Sequence, residues 1–276
     1  MPELPEVETI KNLLRQGESD RPSLLGMVVA QAHLLWDRTL AQPSPQEFTH
    51  RIIGQRIDEI ERRGKFLHFR LSRDSLLIHL RMSGDLLVEP LDTPAGKYDR
   101  LVLDMQEGMR LAFSDPRKFG RAWLVDDPRA VLGALGPEPF DPQLTAEEFH
   151  RRLQGRHRQI KPLLMDQAFL AGLGNIYTDE ALHLARIHPL LPSNQISPAG
   201  SARLLESIRS VLMEGIRRNG ASIDWAYRGG DFQNHFRVYQ QTGEPCPVCG
   251  TPIARMVVGQ RGTHYCPQCQ VLPNVI

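Results

Sequence analysis

Four cysteines arranged as two close pairs constrain this 276-residue chain more than any other feature. Cys246 and Cys249 form one C-x2-C pair, Cys266 and Cys269 form the other, and sixteen residues separate the pairs. Each pair can present two thiolates to one tetrahedral ion, and this spacing is typical of zinc sites. Four thiolates leave no coordination position for water, so we expect one structural zinc ion.

The residues between the two pairs predict a β-hairpin. Residues 252–265 alternate weakly between apolar and polar positions, with the turn expected near Gly259–Gly262. Disulfide pairing is the alternative, and it is uncommon in a reducing compartment. The chain has no apolar run approaching the ~20 residues of a membrane span, and its acidic start lacks the regions of a signal peptide. We therefore expect a cytoplasmic protein with no membrane partner.

Net charge gives no indication of a nucleic-acid partner, because it is only +1 at neutral pH. The distribution of charge is more informative. Residues 201–276 carry eight arginines against five acidic residues, and a second basic cluster consists of Arg151, Arg152, Arg156, Arg158 and Lys161. Each cluster is compatible with a solvated helix face and equally with a DNA-binding surface.

Hydrophobic patterns divide the chain into a β-rich first half and a helical second half. Strands are expected at residues 27–35, 56–62, 66–71, 76–80, 86–89, 101–105, 110–114 and 121–125. Together with a helix that begins near Pro5, they predict a two-layer β-sandwich that carries one helix. We assign residues 1–134 to this domain and the Gly/Pro-rich residues 135–143 to a hinge.

Helical spacing begins after the hinge. Thr145 opens a capping-box pattern, and further helices are expected over 160–166, 175–185 and 197–219. The glycine turn at 171–175 leaves backbone amides free just ahead of a helix start, where they could bind a phosphate. The alternative is a turn that only connects two helices. The predicted fold class is α+β, with a helical domain at 144–236 that ends in an aperiodic loop (220–235) and a zinc hairpin at 237–276.

The N-terminal octet MPELPEVE carries the strongest chemical signal. Removal of Met1 would leave a secondary amine at Pro2 beside the carboxylate of Glu3. An α-amino group titrates near ~8, so a fraction of it is nucleophilic at neutral pH. Such an amine can attack the anomeric carbon of a sugar to form an iminium, and the adjacent carboxylate can transfer protons. The alternative is an ordinary helix start with acidic residues in its first turn.

The octet resembles the start of the formamidopyrimidine-DNA glycosylase family, and further motifs follow in the family's order over nearly the whole chain. The resemblance implies that Pro2 is the nucleophile and Glu3 the general acid/base, with Glu6 supporting the site. It implies that Lys65, in the motif RGKFL, contacts the phosphate near the lesion, where an exposed turn lysine is the alternative. The glycine turn and the following Ile176-Tyr177 resemble the family's helix–two-turn–helix element.

The resemblance also implies a set of DNA contacts. An enzyme that acts on a duplex base must flip the base out of the stack, and the hole must then be filled. The motifs HLRMSG and DPRKFG imply a void-filling triad of Met82, Arg117 and Phe119, with Lys118 beside it. The resemblance further implies three residues that grip the DNA backbone, Lys161, Asn175 and Arg261. It also implies a loop that closes over the damaged base and contains Ser222, Ile223 and Tyr227.

The implied activity is that of a bifunctional DNA glycosylase/AP lyase. Its partner would be double-stranded DNA that contains oxidised purines, above all 8-oxoguanine opposite cytosine and formamidopyrimidines, or abasic sites. The protein would act as a monomer in a bacterial cytoplasm, on the nucleoid when it binds DNA. Two alternatives stay open, an endonuclease VIII-like glycosylase for oxidised pyrimidines and a non-catalytic zinc-ribbon nucleic-acid-binding protein. One departure from the family pattern is KYDR at 97–100, where histidines are usual.

Overall fold

The computed structural model describes residues 1–18, 21–222 and 229–273, which form two compact units. Unit 1 consists of Met1–Ala134 and Asn219–Gly230, and unit 2 consists of Leu135–Arg218 and Asp231–Ile276. The loop predicted at 220–235 is therefore divided between the units. Within the described ranges, no helix is both long and apolar enough to cross a membrane.

Unit 1 begins with helix α1 (Leu4–Gln16). Glu3 is the N-cap, and Glu3 and Glu6 form a capping box in which the Glu6 carboxylate accepts a hydrogen bond from the Glu3 backbone N–H at 2.7 Å. Val7 and Leu14 recur at helical spacing and are buried in the core of the unit. The helix is thus fixed by polar contacts at its start and by apolar packing along one side.

Two sheets form most of unit 1. Their strands are β1 (Val29–Leu34), β2 (Leu40–Gln42), β3 (Ile57–Arg63), β4 (Phe66–Leu71), β5 (Ser75–His79), β6 (Asp85–Pro90), β7 (Asp99–Met105), β8 (Met109–Ser114) and β9 (Arg121–Val125). The one-turn helix α3 (Arg129–Leu132) follows β9. One sheet has the strand order β1-β7-β8-β6, and the other has the order β2-β9-β5-β4-β3. Apolar side chains from both sheets and from α1 form one core, as the predicted β-sandwich requires.

The prediction of a single helix in this sandwich is wrong, because a second helix, α2 (Pro45–Ile52), follows β2. The Ser44 hydroxyl caps α2 by accepting from the Glu47 backbone N–H at 3.3 Å. Phe48 and Ile52 bury the helix against the core. Eight residues with two buried apolar positions are too few to give a clear helical period in the sequence.

In the described part of unit 2 there are four further α-helices, which are α4 (Ala146–Gln154), α5 (Ile160–Leu164), α6 (Asn175–Ala185) and α7 (Pro198–Arg217). Thr145 caps α4 as predicted, since its hydroxyl accepts from the Glu148 N–H. The Ser197 hydroxyl caps α7 in the same way by accepting from the Gly200 N–H. Helix α5 ends before the predicted Asp166, whose carboxylate instead pairs with Arg158 at 2.7 Å.

The predicted zinc hairpin consists of β10 (Ala254–Val258) and β11 (Arg261–Tyr265), which pair in antiparallel register. Val258 lies opposite Arg261, so the turn has only two residues. Both turn residues have positive φ values, 54° at Gly259 and 63° at Gln260. Two-residue hairpin loops favour this backbone because its twist matches that of the strands.

Candidate active site

The start of unit 1 buries the two residues of the predicted catalytic pair. Pro2 and Glu3 are buried, whereas the preceding Met1 is exposed. A buried carboxylate needs partners to offset its lost hydration. The capping box with Glu6 fixes the Glu3 backbone, so Pro2 and Glu3 lie at a well-defined helix start, directly after the exposed Met1.

Glu6 joins this helix start to a distant part of the chain. One carboxylate oxygen accepts from the Glu3 N–H, and the other accepts from the Ala221 N–H at 2.7 Å. Gly220 has a φ of +80°, and a Cβ at this position would lie 2.7 Å from the Glu6 side chain. A side chain is thus excluded at Gly220 both by its backbone conformation and by the close approach of Glu6.

Lys65 lies in the β3–β4 turn and is only 4% exposed. The alternative of an exposed turn lysine is therefore wrong. The adjoining Arg62 donates from its Nε to the Glu8 carboxylate at 2.7 Å, which links the end of β3 to α1. Within unit 1, the lysine turn is thus attached to the same helix that begins at the Pro2–Glu3 pair.

His79 is a buried residue next to this turn for which the sequence suggested no function. Its ring packs edge-on against Phe66, with the ring centroids 4.7 Å apart. Burial, and then the positive charges of Arg81 and Lys65, lower the pKa of His79 to about 3. The imidazole is therefore neutral at physiological pH, and its Nδ1 accepts from the Arg81 N–H at 3.0 Å.

Asp115 organises the two turns that carry the predicted void-filling residues. Its buried carboxylate accepts hydrogen bonds from the Ser83 hydroxyl, from the Arg117 N–H at 3.2 Å and from the Gly120 N–H at 2.7 Å. The ring of Phe113 fills the space that a side chain at Gly120 would need. Asp115 was not predicted as a site residue, although an Asp before a proline is a common turn signal.

The side chains on these turns are available to a ligand. Phe119 is 49% exposed, and the Arg117 guanidinium carbon lies 5.1 Å from the Phe119 ring centroid. Met82 is half-buried in the other turn. Arg81 and Lys118 have left-handed backbones with φ values of 55° and 60°, a conformation that costs a residue with a Cβ about 1–2 kcal/mol. Such strain is often found at binding and catalytic sites.

The departure at 97–100 has a structural explanation at one of its positions. Arg100 is buried, and its Nε donates to the Asp115 carbonyl oxygen at 2.8 Å. Tyr98 is exposed, and its own carbonyl accepts from the Asp115 N–H. Arg100 therefore supports the turn that begins at Asp115 from within the protein.

In unit 2, the Gln167 side chain shapes the glycine turn before α6. Its carbonyl oxygen accepts from the Gly172 N–H at 2.9 Å, and its amide donates to the Leu173 carbonyl at 2.8 Å. Asn175 follows as the first residue of α6 and donates from its amide to the Gly262 carbonyl at 3.0 Å. The turn and the zinc hairpin are thus connected through the predicted DNA-contact residue Asn175.

Lys161, which is predicted to grip the DNA backbone, is fully buried. Its ammonium group lies 2.6 Å from an Asp179 carboxylate oxygen and donates to the Gly262 carbonyl and the Thr263 hydroxyl. The other Asp179 oxygen accepts from the His264 N–H at 2.9 Å. Lys161 and Asp179 therefore fix β11, whose first residue is the exposed Arg261.

The four cysteines come together as predicted. The Cys249 sulfur lies 3.5 Å from the sulfurs of Cys266 and Cys269, and the Cys246 sulfur lies 3.9 Å from that of Cys269. A tetrahedral zinc ion with bonds of ~2.3 Å to sulfur requires sulfurs about 3.8 Å apart. The spacing fits one zinc ion, which fixes the hairpin and leaves no position for catalytic water.

The loop predicted to close over a damaged base is described only at its ends. The Ser222 hydroxyl donates to the Gly230 carbonyl and accepts from the Gly230 N–H, both at 2.9 Å. These two bonds close the base of the loop beside Glu6 and Ala221. Ile223 and Tyr227 lie outside the described residues.

A β-sandwich with a buried Pro2–Glu3 start, together with a helix–two-turn–helix unit that holds a four-cysteine hairpin, defines a zinc-containing DNA glycosylase class. Three family models match: the formamidopyrimidine-DNA glycosylase N-terminal domain over residues 1–122, the H2TH domain of the same enzymes over 135–226, and the zinc finger found in FPG and IleRS over 243–271. The chain belongs to the formamidopyrimidine-DNA glycosylase family.

Individual relatives resemble the chain over its full length. The formamidopyrimidine-DNA glycosylases of Chloroflexus aurantiacus and Protochlamydia amoebophila are 46% and 42% identical, and each alignment covers 98% of this chain and at least 98% of the relative. A MutM protein in complex with DNA that contains carbocyclic 8-oxo-G superposes with a TM-score of 0.90 at 36% identity, covering 98% of this chain and all of the other. The Lactococcus lactis Fpg bound to DNA with an abasic site gives the same TM-score at 35% identity and the same coverage.

Proposed function

We propose that this chain is a bifunctional DNA glycosylase/AP lyase that excises oxidised purines, including 8-oxoguanine opposite cytosine and formamidopyrimidines. The observation that carries the proposal is the buried Pro2–Glu3 pair at a helix start fixed by Glu6. A protein that only binds DNA has no use for a rigid, buried pair of an amine and a carboxylate. Solved relatives in complex with 8-oxo-G and Fapy-dG DNA agree with this substrate class.

The chemistry starts at Pro2 once Met1 has been removed. The secondary amine attacks C1′ of the damaged nucleotide, a nitrogen–carbon bond forms, and the bond from C1′ to the base breaks. Opening of the sugar ring leaves an iminium at C1′, which withdraws electrons from C2′. Loss of a C2′ proton then expels the 3′-phosphate, and a second elimination expels the 5′-phosphate. Glu3 is adjacent to Pro2 and transfers the protons that these steps require.

The exposed turns of unit 1 supply the groups that replace a flipped base. Met82 and Phe119 fill the space in the stack, and the Arg117 guanidinium binds the orphaned cytosine. Lys65 contacts the phosphate near the lesion and keeps the surroundings of the amine positive. Lys118, in the same turn as Arg117, adds a positive charge to this surface.

Phosphate contacts in unit 2 come from Arg261, from Asn175 and from the backbone amides of the glycine turn. Lys161 acts indirectly, because it holds the hairpin strand that presents Arg261. Ser222, Ile223 and Tyr227 contribute the loop that covers the damaged base. We further propose that the protein acts as a monomer in a bacterial cytoplasm, and on the nucleoid when it binds DNA. In this proposal residues 135–143 form the hinge between a catalytic domain (1–134) and the domains at 144–236 and 237–276.

Borohydride trapping tests the nucleophile. Wild-type protein incubated with an 8-oxoguanine duplex and borohydride should form a covalent adduct. A verified N-terminal extension should abolish the adduct and leave lesion-DNA binding largely intact, and proteolytic removal of the extension to expose Pro2 should restore it. Full activity of the intact, extended protein would contradict the assignment of Pro2.

The same experiment separates the other two functions. A non-catalytic zinc-ribbon protein gives no adduct with any substrate. An endonuclease VIII-like enzyme forms an adduct but prefers oxidised pyrimidines. This second function has one specific observation in its favour, because the Lactococcus lactis Fpg has been crystallised with DNA that contains an oxidised pyrimidine. A direct comparison of 8-oxoguanine and oxidised-pyrimidine duplexes distinguishes the two enzymes.

A further inference from the structure

The turn between Asp115 and Gly120 contains a strained residue whose side chain has an aromatic partner outside the turn. Lys118 has a left-handed backbone, and its N–H makes a long hydrogen bond to the Asp115 carbonyl, at 3.3 Å. Its ammonium nitrogen, however, lies 3.9 Å from the ring centroid of Trp36. This is well inside the ~6 Å range of cation–π attraction, and tryptophan is the side chain that attracts cations most strongly.

The Trp36 backbone is linked to the turn that contains Lys118. Its N–H donates to the Arg100 carbonyl at 3.1 Å. The Arg100 guanidinium in turn donates to the Asp115 carbonyl at 2.8 Å, and the indole itself is half-buried. The Trp36 backbone is therefore linked through Arg100 to the first residue of the turn, and the Trp36 ring contacts the Lys118 ammonium group in the same turn.

Lys118 separates the two side chains that act on DNA in the proposed function. Arg117 precedes it and Phe119 follows it, and these two stack on each other across the turn at 5.1 Å. A rotation of the strained Lys118 backbone toward ordinary φ values would reorient both neighbours. A contact that disfavours this rotation therefore helps to keep Arg117 and Phe119 in place.

We propose that Trp36 is a positioning residue for the void-filling turn. It acts through Lys118, whose charge it holds against its ring, and thereby pre-orients Arg117 and Phe119 before DNA binds. The inference rests on the proposed glycosylase function, because its consequence is faster base flipping. Trp36 is far from the Pro2–Glu3 pair in sequence and is not required for the chemistry at C1′.

The test compares two duplexes, one with 8-oxoguanine opposite cytosine and one with a preformed abasic site that needs no base to be flipped. Trp36→Leu should lower single-turnover excision of 8-oxoguanine about fivefold, as expected for the loss of one cation–π contact, and should change abasic-site cleavage less than about twofold. Trp36→Phe keeps an aromatic face and should recover most of the excision rate. Arg38→Met is the matched control, because Arg38 lies 5.9 Å from the same ring but outside the turn, and it should leave the ratio of the two rates unchanged.

A double-mutant cycle with Lys118→Met determines whether the contact itself is responsible. If the cation–π pair carries the effect, Trp36→Leu should change the ratio of the two rates hardly at all in the Lys118→Met background. An equal effect of Trp36→Leu in both backgrounds, or equal losses on both duplexes, would overturn the proposal. Wild-type protein that does not excise any oxidised purine would refute the proposed function instead, so the two failures are distinguishable.

Discussion

The Glu6 carboxylate binds the backbone N–H of Ala221 at 2.7 Å, across 215 positions of sequence. Its second oxygen binds the Glu3 N–H in the capping box of α1. One buried side chain thus connects the residue proposed for proton transfer to the base of the loop proposed to cover the damaged base. The position of Gly220 against Glu6 excludes any larger residue there.

Replacement of Glu6 by glutamine should destabilise the protein. The Glu6 carboxylate accepts from two backbone N–H groups, at Glu3 and Ala221, and the NH₂ group of a glutamine can accept from neither. Loss of a hydrogen bond to a buried charged acceptor costs about 2 kcal/mol. Urea unfolding of Glu6→Gln measures this loss. Glu47→Gln is the matched control, since Glu47 is 53% exposed and pairs with Arg51 at the surface, and it should cost under about 1 kcal/mol. Equal stability of the two variants would contradict the importance of the Glu6 bridge.

Lys161→Met should be among the most destabilising single changes in unit 2. It would leave the Asp179 carboxylate buried without its cation, which typically costs about 3–5 kcal/mol. Lys11→Met provides the comparison, because Lys11 pairs with Glu8 in a partly exposed position and should cost under about 1 kcal/mol. Chemical denaturation of both variants checks the difference, and a small loss for Lys161→Met would mean that its ammonium group is accessible to solvent.

Local signals in the sequence were sufficient for much of the fold. The caps at Thr145 and Ser197 and the cysteine pairs depend on residues a few positions apart, so their geometry follows from spacing. Long-range partners were not predictable in this way. Glu6 meets Ala221, and Lys161 meets Asp179 and the hairpin, only because the chain folds back on itself, and no short motif encodes such pairings.

Of the candidate site, the four clustered cysteines could be predicted from the sequence, whereas the residues that support the neighbouring turns could not. Two C-x2-C pairs at this spacing are informative by themselves, whereas Pro2 and Glu3 were singled out only as part of the longer octet MPELPEVE. Asp115, Gln167 and Arg100 act by binding backbone groups, and Asp, Gln and Arg at turns occur throughout any protein. Helix α2 was missed for a similar reason, since a short helix leaves only a weak periodic pattern.

The stability of the protein should fall in mild acid through His79. Its pKa in the folded state is about 3, below the ordinary value of ~6.5, so protons bind the unfolded state first. The stabilisation is complete above pH ~6.5 and decreases as the pH falls toward about 3. Between about pH 6.5 and 5 wild-type protein should lose about 1.6 kcal/mol more than His79→Asn, because the slope approaches about 1.4 kcal/mol per pH unit only below pH ~6. Parallel urea titrations across this range, with the exposed His157→Asn as control, would reveal the difference, and identical slopes for wild type and His79→Asn would refute it.

Removal of zinc should unfold the hairpin without unfolding unit 1. The four thiolates hold one ion, and metal binding supplies much of the folding free energy of small zinc modules. Cys249→Ser, or chelation, should increase hydrogen exchange across β10 and β11 and weaken DNA binding through Arg261, while the β-sandwich keeps its protection. Val248→Ser changes an exposed residue of the same knuckle that has no thiolate and should keep full zinc content. Active protein free of metal in elemental analysis would contradict this prediction.

Arg117 should determine which base is tolerated opposite the lesion. Its backbone is fixed by Asp115, while its exposed guanidinium can donate two hydrogen bonds to the O2 and N3 edge of cytosine. Adenine offers fewer acceptors on the corresponding edge, and a bidentate contact of this kind is worth ~1–3 kcal/mol of discrimination. Since about 1.4 kcal/mol corresponds to a factor of ten in rate, 8-oxoguanine opposite cytosine should be processed about tenfold or more faster than opposite adenine.

Arg117→Ala should remove this preference and leave cleavage of a preformed abasic site intact, because that step depends on Pro2 and Glu3. Arg81→Ala, which removes an exposed arginine from the neighbouring turn, should keep the preference for cytosine. Single-turnover rates on the two duplexes, measured for wild type and both variants, give the ratios directly. If wild-type protein ignores the opposite base, Arg117 does not read it. If the protein also prefers oxidised pyrimidines to 8-oxoguanine, the endonuclease VIII-like activity replaces purine repair as its function.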